Sequence, residues 1–148
     1  MLNIVPEMSR EHFTPPHMAK DMCSHLEPAI SNIEKNFFEP SCGEGVFLVE
    51  VVERRMKKNA RRLHSNNKIL RTIAMIDLVK NIYASDIFPE FVEVTKAKLL
   101  KKVSINLTRK NFTPTEIENI EKFLMFIISL NVVCFDFLDN NSHEEILL

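Results

Sequence analysis

A chain of 148 residues, 45% hydrophobic and 26% charged, has the size and apolar content of one ordinary domain, which excludes wholesale disorder. Its 19 basic and 20 acidic side chains leave a net charge of −1, which excludes a grip on nucleic acid by bulk charge alone. The longest apolar run, Phe123 to Leu130, is eight residues and includes Ser129, so it falls short of the ~18–20 that a membrane helix requires.

Met1 to Arg10 carries Glu7 and Arg10 and lacks an apolar h-region, so it does not read as a signal peptide. Phe13-Thr14-Pro15-Pro16 opens a helix, with Thr14 as cap, Pro15 at the first position, and Met18, Met22 and Leu26 at helical spacing. Pro28 ends or kinks it, with Ala29, Ile30 and Ile33 continuing briefly. Asn36 to Glu39 reads as a short buried strand stopped by Pro40. A long helical pattern follows from Phe47 through Val51, Val52 and Met56 to Leu63, and a further helix is expected over Ile69 to Val79. Asn81 to Ser85 is the second strand, ending at Asp86, and Pro89 starts a helix that reaches Val103. Thr113-Pro114-Thr115-Glu116 is a capping box that launches a helix through Ile127. Asn131 breaks that pattern, Val132 to Phe135 is the third strand, and Asp139 to Leu148 is polar, then weakly helical. Strands alternating with helices predict a parallel α/β sheet of about three strands flanked by helices. The chain reads as one domain over 1–148, with a helical segment over 1–34 and an α/β core over 35–138.

Glycine is the informative count. At an average usage of ~7%, a chain this long would hold roughly ten. It holds two, Gly43 and Gly45, in one turn. That turn follows the first strand, and ligands of open parallel sheets sit at the strands' carboxyl ends, so Glu39 to Gly45, Asp86 and Asp136 are expected to converge on one cleft. The spacing Gly43-x-Gly45-x-x-Leu48 lacks the third glycine of a dinucleotide fingerprint, and no Gly-Lys-Ser/Thr follows. Glu44 inside the turn would repel a pyrophosphate. A ligand with a carboxylate, an ammonium and a ribose but no phosphate fits better, and S-adenosylmethionine is one. Asp86 would then accept from its ribose hydroxyls.

These residues resemble the class I S-adenosylmethionine-dependent methyltransferases, and among them the adenine-N6 DNA methyltransferases of restriction–modification systems. Glu39-Pro40-Ser41-Cys42-Gly43-Glu44-Gly45-Val46-Phe47-Leu48 resembles their first motif, and Phe13-Thr14-Pro15-Pro16 the Thr-Pro segment that precedes it. Tyr83-Ala84-Ser85-Asp86-Ile87 resembles the second motif and Val133 to Leu138 the third. The resemblance implies a partial Rossmann-like methyltransferase fold and a role for each matching residue. Thr14 and Pro15, with Phe13 beside them, would line the methionine end of the cofactor. Glu39 would approach its amino group, and the backbone from Cys42 to Gly45 would pass beneath it. Asp86 would hold the ribose, Ile87 the adenine face, Asp136 the adenine amino group and Phe137 the ring edge.

The family's catalytic Asn/Asp/Ser-Pro-Pro-aromatic motif does not follow Leu138. The only Pro-Pro, Pro15-Pro16, fits the cofactor segment. The resemblance therefore implies a cofactor-binding front that is inactive alone and reaches DNA through a missing or separate part. In the family's strand order, third-second-first, Asn36 to Phe38 is a sheet edge with two phenylalanines, so the chain is expected to self-associate or to dock on that other part. Alternatives stay open: a plain strand-to-helix turn at the glycines, an N-cap at Asp86, a turn residue at Asp136, a non-catalytic subunit, or a methyltransferase acting on RNA or protein. The basic run Arg54 to Arg62 reads as a solvated face. Cys42 and Cys134 read as small buried packing residues. Three cysteines without metal spacing read as reduced thiols of a cytoplasmic protein.

Overall fold

The computed structural model describes residues 13–108 and 111–137. Helix α1 (Pro16–Ser24) is followed by strand β1 (Phe37–Glu39), helices α2 (Val46–Lys58), α3 (Ala60–Leu63) and α4 (Lys68–Val79), strand β2 (Ile82–Asp86), helices α5 (Pro89–Ser104) and α6 (Pro114–Asn131), and strand β3 (Val132–Cys134). The three strands form one parallel sheet in the order β1-β2-β3. This is the α/β arrangement that the strand–helix alternation predicts. The last ten residues, read as weakly helical, and Leu138 of the third motif lie outside the described residues.

Register sorts the side chains into two faces. Phe37 pairs with Ile82, Glu39 with Ala84, and Ala84 with Val132, so these residues share one side of the sheet. That side is the core: Ile82, Ala84 and Val132 are buried against Leu48, Val51 and Val52 of α2, Val92, Leu99 and Val103 of α5, and Leu124 and Ile128 of α6. The other side carries Phe38, Tyr83 and Val133, all exposed. Both crossovers step the same way across the sheet, and connections of one hand lie on one face. The core is therefore built on one side, and β1, expected to be buried, exposes Phe38.

Several local expectations shift. Thr14 does not cap α1; Pro15 occupies the N-cap, without a side-chain hydrogen bond, and Pro16 takes the first helical position. The helix stops at Ser24, so Ala29 and Ile30 lie in turns instead of a helical continuation. The long pattern after the glycines breaks at Asn59, whose amide nitrogens, backbone and side chain, both donate to the carbonyl of Arg55. The capping box at Thr113 forms in full: Thr113 Oγ1 accepts from Glu116 N, and Glu116 accepts from Thr113 N. The basic run is only in part a solvated face. Arg55 is fully buried and donates to the carbonyls of Ile30 (3.1 Å) and Lys35 (2.7 Å), while Arg54 pairs with Glu27 and Glu50. Two carbonyl acceptors from the segment after α1 explain why a guanidinium is drawn inward. Among the described residues no helix is long and apolar enough to cross a membrane.

Candidate functional site

The turn between β1 and α2 is held by β2 and by α5. Gly43 and Gly45 both adopt left-handed backbone, with φ of 51° and 84°. From β2, the carbonyl of Ser85 accepts from Cys42 N at 2.9 Å, and Ser85 Oγ donates to the carbonyl of Pro40 at 3.0 Å. From the end of β2, Asp86 Oδ2 accepts from Gly43 N at 2.8 Å, and its Oδ1 accepts from Phe88 N at 3.0 Å. From α5, Thr95 Oγ1 donates to the carbonyl of Gly43 at 2.8 Å, and Lys98 pairs with Glu44 at 3.3 Å. Helix α2 begins with Gly45 as N-cap, and no side chain accepts from the N–H groups of its first turn.

The two glycines serve different ends. A Cβ at Gly45 would stand 2.9 Å from Thr95 Cγ2, so the space beside Gly45 is filled by α5. A Cβ at Gly43 would meet only the ring of Phe13, at 3.6 Å. Phe13 leans on Phe91, edge to face at 5.5 Å, and Phe91 leans likewise on Phe88. Three rings thus run in a chain from the turn, with Ile87 exposed beside Phe88.

Of the residues singled out from sequence, the structure gathers Phe13, Cys42, Gly43, Gly45 and Asp86 into one cluster. Thr14 is half-buried and Pro15 exposed at the start of α1. Pro40 and Ser41 are exposed on the turn, where Ser41 N donates to Glu39 Oε1 at 3.3 Å. Burial pushes the Glu39 carboxyl above its ordinary range, with the Ser41 N–H pulling the other way. Asp86 is not the N-cap of α5, a place taken by Phe88, although its bond to Phe88 N ties the lead-in to that helix.

Phe135 N donates to the carbonyl of Asp86, which sets Asp136 just beyond the neighbouring strand end, exposed. Phe137 packs on Phe38, with ring centroids 5.1 Å apart. It therefore reaches the open side of the sheet, where Phe38 stands. Cys42 is buried as expected, and burial, chiefly, pushes its thiol up to about 11, so it stays protonated. Cys134 is exposed, contrary to expectation, because it ends β3, beyond the core residue Val132; its thiol donates to the carbonyl of Ile87.

Sequence reasoning passed over Thr95, Phe88 and Phe91. Thr95 falls between Val92 and Leu99 on the buried stripe of α5, at spacings of three and four, and that periodicity marks it as inward-facing. Cavities of about 540 Å³, beside Arg54 and Lys57, and about 350 Å³, between α4 and α6, lie away from the turn. Among the described residues no group of three or more His, Cys, Asp or Glu is placed to hold a metal ion. Comparisons with family models, with curated proteins and with solved structures find no match to this chain.

Proposed function

We propose that the chain binds S-adenosylmethionine at the Cys42–Gly45 turn and is the cofactor-binding part of an adenine-N6 DNA methyltransferase of a restriction–modification system, acting in the cytoplasm. One observation carries the reading: a left-handed glycine turn enters an uncapped helix at the carboxyl end of a parallel sheet, with the acidic residue of the next strand seated against it. Each Asp86 oxygen accepts one backbone N–H and keeps a second lone pair, which two ribose hydroxyls can share. Ile87 offers an exposed apolar side chain to the adenine face, and Thr14, Pro15 and Phe13 border the methionine end. Asp136 and Phe137 complete the adenine pocket once Phe137 leaves Phe38. Alone the chain transfers no methyl group, since its sequence holds no Asn-Pro-Pro-Tyr-type motif. DNA is met through a part that supplies that motif and docks on the open side of the sheet, at Phe38 and Tyr83.

Isothermal calorimetry with S-adenosylmethionine tests this on the full chain. A saturable heat is expected for the wild type, with affinity reduced about tenfold, near 1.4 kcal/mol, by Ile87→Ala and further by Asp86→Asn. Ile87 is exposed, so its loss leaves the fold intact. No heat at millimolar cofactor removes the reading. A second reading, a non-catalytic subunit with a plain strand-to-helix turn, is favoured by Thr95 filling the space at Gly45 and by both Asp86 oxygens already holding backbone. It expects no cofactor heat.

A further inference from the structure

Helices α4 and α6 run side by side in the same direction. Lys68 at the start of α4 bonds Glu116 at the start of α6 (2.9 Å), and Asn131 at the end of α6 donates to the carbonyl of Lys80 (3.0 Å) just past the end of α4. The groove between them, about 350 Å³, is apolar, with Ile69, Ile73 and Ile120 along its walls. On α6 the exposed residues Phe123, Phe126 and Leu130 recur at spacings of three and four, while Leu124 and Ile128 are buried in the core and Ile120 and Ile127 pack partly against it. Exposure along this stripe and the facing wall of α4 is high: 70% at Ile69, 43% at Ile73, 50% at Phe123, 58% at Phe126 and 63% at Leu130. At roughly 150–250 Å² for a large side chain, these five leave about 500 Å² of apolar surface open.

We propose that this groove is the contact face of a homodimer, α6 of one copy lying along the α4–α6 groove of the other. The area fits. A standard interface buries about 800 Å² on each partner, about 60% of it apolar, which is about 500 Å². The charges fit a self-complementary contact as well. Those at the margin are paired within the chain, Lys68 with Glu116 and Lys122 with Glu118, so two copies meet without like-charge repulsion and nothing selects an acidic or basic partner. Apolar residues that repeat at three and four are the pattern with which two helices interlock. The proposal does not rest on the cofactor reading, which concerns the glycine turn and the residues of β2 and α5 that hold it.

Sedimentation velocity of the full chain in reductant, over a wide concentration range, tests it. The expected result is a species of twice 17.2 kDa that dissociates on dilution. Phe123→Glu and Ile69→Glu, both at exposed positions, each weaken it at least tenfold with circular dichroism unchanged, whereas Phe38→Glu on the open sheet face leaves it intact. A wild type that stays monomeric, a dimer broken by Phe38→Glu alone, or one indifferent to both groove substitutions overturns the proposal.

Discussion

Gly43 and Gly45 share left-handed backbone but differ in what a methyl group would meet, and substitution separates the two effects. At Gly43 alanine finds ordinary van der Waals room against Phe13, so the cost is that of the left-handed conformation, about 1 kcal/mol. At Gly45 the same cost is joined by overlap with Thr95, and the sum is about 3 kcal/mol. Thermal unfolding is expected to place Gly45→Ala about 10 °C below the wild type and Gly43→Ala only a few degrees below. Adding Thr95→Ala to Gly45→Ala should cost less than the two single changes together, by about 1 kcal/mol. The turn itself was legible, because two glycines in a chain poor in them mark a backbone constraint. Its partner was not. Thr95 lies 50 residues from Gly45, and only the packing of α5 on the turn joins them.

At the scale of the elements, α3 and α4 are joined through Asp77. Its carboxylate accepts from Arg62 at 2.6 Å and pairs with Lys80 at 2.9 Å. Burial pushes Asp77 up, but the hydrogen bonds from Lys80 and Arg62 outweigh it and hold the carboxyl below its ordinary range. A depressed folded value adds stability above the unfolded pKa, near 4, and loses it as pH falls through the folded value. Asp77→Asn is therefore expected to lose about 1 kcal/mol at neutral pH. Urea titrations should show that gap constant down to about pH 4 and closing below it.

The elements differ in how much of them the sequence discloses. Thr113 to Glu116 carries its own geometry, since cap, proline and glutamate act within one turn, and α6 starts where they say. The break at Asn59 and the burial of Arg55 do not announce themselves. The first depends on a side-chain amide competing for a helical carbonyl. The second depends on carbonyls supplied by a distant segment, Ile30 and Lys35.

For the whole molecule, the one-sided core follows from strand order. Crossovers that all step one way leave the second face to whatever lies beyond them, and Phe38, Tyr83 and Val133 mark that face. Alternating apolar residues in the strands could not disclose which face stayed open, because both faces carry apolar side chains. The thiols report the same architecture. Cys23 and Cys42 sit in the core, with burial raising both, and Cys134 stands on the exposed edge strand. Iodoacetamide is expected to modify one cysteine in the native chain, Cys134, and all three after denaturation, as read by mass spectrometry of peptides.

The clasp on the glycine turn has a mechanical corollary. With Ser85 and Asp86 of β2 and Thr95 and Lys98 of α5 gripping it, the bend is no flap that folds down over a guest. The proposed cofactor would meet a mould already set, so the ordering cost falls on folding and little is left to charge against affinity. On the proposed reading, motion on binding falls to side chains around the bend, Phe13 at its mouth and Phe137 on the open face of the sheet.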